Sequence, residues 1–177
     1  KADRSVERLI HIVEDLEAIS QLETGELQLD QERFEITELV KEVMEAEEML
    51  AGTKKIMLTL KEIKPFYVFA DKFRIRQVFT NLIVNSIKYG MEYGETNVRF
   101  FEHENQIVVE VADNGIGIPE KHLSRLFERF YRVDKSRSRE QGGTGLGLSI
   151  VKHILVARGQ TNFVDSTEGI GSLFSFT

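Results

Sequence analysis

Asn81-Leu82-Ile83-Val84-Asn85-Ser86-Ile87-Lys88-Tyr89 lies in a stretch whose apolar residues Ile75, Val78, Phe79, Leu82, Ile83 and Ile87 recur at three- and four-residue spacing. That period predicts a helix, and Asp71 just ahead of it is a natural N-cap. On such a helix Asn81, Asn85, Lys88 and Tyr89 share a polar stripe opposite the apolar one. A carboxamide oxygen is a hard, neutral ligand for Mg²⁺, an ammonium is a point charge for phosphate, and a phenol ring can lie against a base. The stripe therefore describes one end of a nucleotide site. Taken alone, an amphipathic helix with a solvated face explains it equally well.

Two further segments separate these readings. Asp113-Asn114-Gly115-Ile116-Gly117-Ile118 follows the alternating run Ile107-Val108-Val109-Glu110-Val111, which reads as a strand. A carboxylate at a strand end can accept a hydrogen bond from an exocyclic amine, and glycines let backbone come close to a ligand. Gly142-Gly143-Thr144-Gly145-Leu146-Gly147-Leu148-Ser149 leads into a second helical pattern, Ile150, Val151, Ile154 and Leu155. Glycines that open a helix expose N–H groups which, with the helix dipole, make an anion site. Each element alone is weak; their order is informative.

The motifs Asn-x-x-x-Asn-x-x-Lys-Tyr, Asp-x-Gly-x-Gly-Ile, Phe127-Glu128-Arg129-Phe130-Tyr131-Arg132 and Gly-Gly-Thr-Gly-Leu-Gly-Leu resemble four sequence boxes of bacterial sensor histidine kinases. These are the N box, first glycine box, F box and second glycine box, here in family order over residues 33–177. The resemblance implies a catalytic set of Asn81, Asn85, Lys88 and Arg129, with ATP and Mg²⁺ as cofactors. Asn85 is then the magnesium ligand, with Asn81 beside it near the phosphates. Lys88 neutralises phosphate charge, Tyr89 packs on the adenine side, and Asp113 accepts from the adenine amino group. Gly115 and Gly117 allow close approach. Arg129 and Arg132 are candidates for the terminal phosphates, and the N–H groups of Gly143, Gly145 and Leu146 for the rest. For Arg132 an ordinary solvated charge is an equal alternative. Ile116, Ile118, Tyr131, Gly142, Thr144 and Gly147 complete the nucleotide-contacting set that the resemblance implies.

The chain has 177 residues, 41% of them hydrophobic, enough to build a core. With no cysteine and four scattered histidines, disulfides and thiolate sites are excluded and a zinc site is disfavoured. No apolar run approaches a membrane span, so a soluble piece is expected. The net charge is −6, yet residues 119–141 hold seven basic residues against four acidic ones. Nucleic acid is one partner for such a patch. Its position between the two glycine segments makes phosphate the better one.

Residues 1–24 read as one helix with a broad apolar stripe, from Val6, Leu9 and Ile10 to Ile19 and Leu22, stopped by Gly25. The helix needs a partner to cover that stripe. It resembles the end of the second helix of the family's dimerisation and phosphotransfer hairpin. A linker is expected over 25–32 and a catalytic domain over 33–177, with a mobile lid over 114–143. Phe34–Ile36, Ile56–Leu60, Phe66–Phe69, Val98–Phe101, Gln106–Val111, Phe163–Val164 and Leu173–Phe176 read as strands. Helices mixed with antiparallel pairs imply a two-layer α/β sandwich with helices on one face. The resemblance names it the Bergerat ATP-binding fold, with a mixed, mostly antiparallel sheet.

None of the four histidines matches the family's acceptor motif. His11, His103, His122 and His153 therefore read as surface or interface residues. The resemblance implies γ-phosphoryl transfer to a histidine on a hairpin helix outside this sequence, then to a cognate response regulator. It also implies homodimerisation through the hairpin, and a place as the cytoplasmic portion of a membrane-anchored kinase. Two alternatives share the fold: an ATPase or chaperone like MutL, gyrase or the heat-shock chaperones, and a non-catalytic nucleotide-sensing module. The first normally needs Glu where Asn81 stands, since a carboxamide is no general base near neutral pH. Minor departures from the family are Ser86 in place of Ala, expected to be neutral, and Gly90 in place of Thr or Ser, expected to loosen the helix end.

Overall fold

The computed structural model describes residues 2–25, 29–61, 64–133 and 143–177. In chain order the elements are α1 (Ala2–Thr24), β1 (Gln31–Glu35), α2 (Ile36–Gly52), β2 (Met57–Leu60), β3 (Tyr67–Asp71), α3 (Lys72–Tyr89), β4 (Glu95–His103) and β5 (Gln106–Asp113). A single turn, α4 (Glu120–Leu123), precedes α5 (Gly147–Ala157), β6 (Asn162–Thr167) and β7 (Gly171–Phe176).

Five strands form one sheet in the order β2-β4-β5-β7-β6. Only β2–β4 is parallel; the other pairs are antiparallel. The β4–β5 hairpin turns on Glu104 and Asn105, both at positive φ (49° and 61°), with His103 opposite Gln106. Two left-handed residues match the twist of the strands they join. Alternation sends Val98, Phe100, Val109, Val111, Phe174 and Phe176 to one face, where all are buried. Helices α2, α3 and α5 cover that face. Phe79 of α3 sits 6.2 Å from the Phe100 ring and 5.7 Å from Phe176. The two-layer α/β sandwich and mostly antiparallel sheet are as the sequence implies.

Two boundaries differ from the reading of the sequence. β1 begins at Gln31, inside the span expected to be linker, and ends at Glu35 because Ile36 already starts α2, its N–H donating to Phe66 O at 2.9 Å. β1 and β3 also form a separate antiparallel ribbon rather than joining the main sheet. Alternation reports a strand's faces and not its neighbour, so the separate ribbon has no sequence signature.

Asp71 caps α3 as expected, its Oδ1 accepting from Arg74 N at 3.0 Å. Ser86 is more than a neutral replacement: buried, it accepts from the Thr96 hydroxyl at 2.8 Å and donates to Ile83 O at 2.8 Å, tying α3 to β4. Nor does Gly90 loosen the helix end, because a Cβ there would lie 2.6 Å from both Ser86 O and Ile56 Cδ1. Lys54, in the turn after α2, places its ammonium on the last carbonyls of α3, those of Ile87 (3.0 Å), Lys88 and Gly90 (3.2 Å). A cation on exposed carbonyls opposes the negative end of the helix dipole.

Helix α1 lies along α5, burying Ile19 and Leu22, while Val6, Leu9, Ile10 and Val13 stay more than half exposed. Among the described residues no helix is long and apolar enough to cross a membrane.

Gly117 is, with Gly171, one of the least replaceable backbone positions near the site. It has φ +64°, and a Cβ on it would sit 2.0 Å from Thr167 O. Gly117→Ala is expected to lower stability by about 3 kcal/mol or more in urea unfolding, combining left-handed strain with a backbone clash. A loss below about 1 kcal/mol would show that this loop moves away freely.

Candidate functional site

The polar stripe of α3 faces the segment that enters α5. Asn81 donates from Nδ2 to Gln77 O at 3.0 Å, and its Oδ1 meets the α5 N-terminus so closely that a Cβ at Gly147 would come within 2.7 Å of it. Gly147 thus allows two helices to touch at the carboxamide. The first intrahelical bond of α5 is Ile150 N to Leu146 O at 2.9 Å. The N–H groups of Gly147, Leu148 and Ser149 therefore have no intrahelical acceptor, as at any helix start. Leu146 N donates to Thr144 Oγ1 at 3.2 Å, and Gly145 O accepts from Phe130 N at 2.9 Å, so residues 143–147 are held against segment 127–132.

Lys88 and Arg132 carry the electrostatics. Burial holds the Lys88 ammonium below its ordinary range; the Glu47 carboxylate of α2 opposes that shift and the nearby Arg132 guanidinium adds to it. Burial in turn raises the Glu47 carboxyl, against the pull of Lys88. Arg132 Nη2 is buried with no hydrogen-bond partner, and it points at Gly143, whose added Cβ would lie 3.8 Å from it. A guanidinium does not shed its charge and a buried donor without an acceptor is costly. A part-buried ammonium and a guanidinium with a buried, unpartnered nitrogen, near a helix N-terminus, fit a polyanion.

Asp113 closes the other side. Its Oδ1 accepts from Gly115 N at 2.8 Å. Burial raises its carboxyl, while the backbone groups of Gly115 and Ser172 pull it down. Asn114 fixes the strand end by accepting from Glu95 N at 2.8 Å. Tyr89 O accepts from Ile116 N at 3.1 Å, and Ser166 Oγ from Ile118 N at 2.8 Å, so the backbone of 115–118 is spread between α3 and β6.

Several of the expected site residues have protein partners in the structure. Gly115 and Gly117 stand close against protein backbone: added Cβ atoms would lie 2.5 Å from Tyr89 O and 2.0 Å from Thr167 O. Arg129 does not stand beside Lys88. It forms an ion pair with Glu23 near the end of α1, holding that carboxyl below its ordinary value, and His153 Nε2 lies 3.4 Å from the same carboxylate. In this structure Glu23 is the counter-charge of Arg129, and both side chains are part-exposed. The Tyr131 hydroxyl is taken by His122 Nδ1 at 2.5 Å, with Arg125 4.3 Å above the ring. His153 and His122 are thus interface residues, as read from sequence, and His103 is exposed. Gly142, Lys135, Arg137 and Arg139 of the expected lid, and the His11 side chain, lie outside the described residues.

Lys54, Glu47 and Glu23 gave no sequence signal, since each reaches the site across more than thirty residues of chain.

Residues 70–177 match the family model described as histidine kinase-, DNA gyrase B-, and HSP90-like ATPase. The chain is 36% identical over 173 residues to the sensor histidine kinase WalK of Bacillus subtilis (strain 168), covering 97% of this chain and 28% of that protein. It is 33% identical over 168 residues to the phosphate regulon sensor protein PhoR of Pseudomonas aeruginosa, covering 95% of this chain and 38% of the other. The chain thus spans well under half the length of these relatives. Among solved structures, the Acinetobacter baumannii histidine kinase AdeS superposes with a TM-score of 0.81 at 30% identity, over 97% of this chain and 78% of that one. The catalytic domain of histidine kinase ThkA gives 0.71 at 28% identity, over 83% of this chain and 93% of that one.

Proposed function

The chain belongs to the histidine kinase-, DNA gyrase B- and HSP90-like ATPase family, and we propose that it is the ATP-binding catalytic part of a two-component sensor histidine kinase. In this role it holds Mg²⁺–ATP for transfer of the γ-phosphoryl group to a histidine elsewhere in the whole protein. The observation that carries the reading is the unpartnered, buried Nη2 of Arg132 beside the depressed Lys88 ammonium, at the N-terminus of α5. Glu47 opposes only Lys88, and a buried donor without an acceptor is costly; a triphosphate supplies the acceptor that Arg132 Nη2 lacks.

The base end rests on Asp113. Beside the backbone donors Gly115 and Ser172, its carboxylate keeps acceptor lone pairs for an adenine amino group, and it repels the carbonyl that guanine presents there. Among the described residues no group of three or more His, Cys, Asp or Glu is placed to hold a metal alone. A Mg²⁺ in this site therefore relies on phosphate oxygens and the Asn85 carboxamide, the sparse protein ligation usual for nucleotide-bound magnesium. When bound, the ion neutralises charge on the phosphates and fixes their geometry. Asn81 favours phosphotransfer over hydrolysis: its amide N is spent on Gln77 O, and its oxygen has no basicity to activate water.

The partners follow from the same reading: a response regulator that takes the phosphoryl group, and a second copy that covers the exposed α1 stripe. In this reading the whole protein is membrane-anchored, with this part in the cytoplasm.

Asn85→Ala tests the metal role. It is expected to weaken Mg²⁺–ATP binding by about ten-fold or more while changing metal-free ADP binding little, as titration calorimetry reports. Equal losses for both ligands would remove Asn85 from the metal.

A further inference from the structure

The Arg129 guanidinium donates to the Glu23 carboxylate, joining the last turn of α1 to the segment that runs beside the glycine-rich entry of α5. Phe130, the next residue, has φ +62°, a region that a bulky side chain rarely occupies. Its N–H donates to Gly145 O at 2.9 Å, and a Cβ on Gly145 would lie 3.0 Å from Phe130 Cα. The segment changes its facing at this strained residue. Arg129 meets α1, while Arg132 stands by the Gly143 backbone.

His153 Nε2 lies 3.4 Å from the same Glu23 carboxylate. It stands about 9 Å past Gly147 along α5, so the ion pair sits on the flank of that helix close to its N-terminus. A displacement of that order is what rotating one arginine side chain produces. Burial holds the His153 ring below its usual pKa; Glu23 opposes that, and Arg129 and Lys152 add to it. The ring is therefore neutral near pH 7, and Arg129 is the cation that Glu23 holds.

We propose that Glu23 is an autoinhibitory counter-ion: it withholds Arg129 from the nucleotide until a triphosphate takes the guanidinium, and the last turn of α1 loosens when that happens. This rests on the nucleotide reading of the site. Both partners of the pair are part-exposed, 39% and 43% in their side chains. Such a pair holds by a factor of only about two to five. A terminal phosphate offers more charge and a face for two parallel hydrogen bonds. The arginine thus passes to a γ-phosphate when one is present and stays on Glu23 with a diphosphate. By linkage, the factor by which Glu23 weakens triphosphate binding is the factor by which triphosphate weakens the α1 contact.

The test is titration calorimetry of the whole chain with Mg²⁺ and either a non-hydrolysable ATP analogue or ADP. It compares the unaltered chain with Glu23→Gln, Arg129→Met and the double variant, and amide hydrogen exchange follows residues 20–24 in parallel. Glu23→Gln is expected to bind the analogue about three-fold more tightly and ADP no differently. That gain should vanish in the Arg129→Met background, where plain removal of a negative charge would still help. In the unaltered chain the analogue should speed exchange at residues 20–24 about three-fold, and ADP should not. The proposal is overturned if Glu23→Gln leaves the analogue's affinity unchanged or lowers it, if ADP gains as much, if the gain survives Arg129→Met, or if α1 exchange ignores the analogue. Failure of the unaltered chain to bind either nucleotide would sink the nucleotide reading and the proposal with it; normal binding of both with no response to Glu23→Gln sinks the proposal alone.

Discussion

Replacing Lys88 and Arg132 together with methionine is expected to lower ATP affinity by about a hundred-fold or more, while the nucleotide-free domain stays as stable or becomes more so. The two effects share a cause. Lys88 is part-buried and held down first by that burial and then by Arg132, and the buried Arg132 Nη2 has no acceptor. Without nucleotide they repel each other in low dielectric; with triphosphate each gains a charge-assisted hydrogen bond. Methionine keeps the aliphatic stems and removes the charges. The pH dependence has a definite sign. Because the folded pKa of Lys88 lies below its unfolded value, the unfolded chain binds more protons in the window between them, and nucleotide-free stability rises with pH there. ATP requires the ammonium, so its affinity falls as pH rises through the lowered pKa. Stability and ATP affinity therefore move in opposite directions on the alkaline side, and Lys88→Met should abolish both slopes. Calorimetry and thermal unfolding across that range are the measurements. A double variant that binds ATP normally, or that loses more than about 1 kcal/mol of stability, would make the pair structural.

The sandwich and the α3 side of the site were legible because both are written in short-range patterns. Period 3.6 gave α3 and its polar stripe, period 2 gave the sheet, and Asp71 marked the helix start with its own side chain. What escaped the sequence is long-range pairing. Nothing near Ser86 announces Thr96 on another strand, and nothing near Lys54 announces the carbonyls of Ile87 and Gly90. The glycines show the same limit. A Gly-x-Gly motif states that something comes close to the backbone, and only the fold reveals that Tyr89 O and Thr167 O do so. The motif around Arg129 likewise fixed a charge without its counter-charge, because Glu23 lies 106 residues away.

Incubated alone with γ-labelled ATP, the chain is expected to bind nucleotide and to acquire no acid-labile phosphate. The reason is the placement of the three histidines whose side chains are described. His103 ends β4, about 23 Å along the strand from Thr96, the partner of Asp113. His122 has Nδ1 on the Tyr131 hydroxyl, and His153 faces Glu23 and Arg129 on the flank of α5, almost two turns past Gly147. Burial keeps the His153 ring below its ordinary pKa, so it has the neutral form of a nucleophile but stands away from the phosphate end. Transfer needs the attacking nitrogen in line and within about 3–3.5 Å of phosphorus. Water lacks a base as well, since Asn81 stands where one would be needed. ATP turnover is thus expected to be close to the uncatalysed rate, and supplying the acceptor-bearing hairpin of the whole protein should restore labelling on that partner and not on this chain. The decisive readout is label on the isolated chain with His11→Ala and His153→Ala variants beside it. Acid-labile label that disappears with His11→Ala would make α1 an acceptor helix; label that disappears with His153→Ala would mean that the Glu23–Arg129 contact opens to let α5 phosphorylate itself.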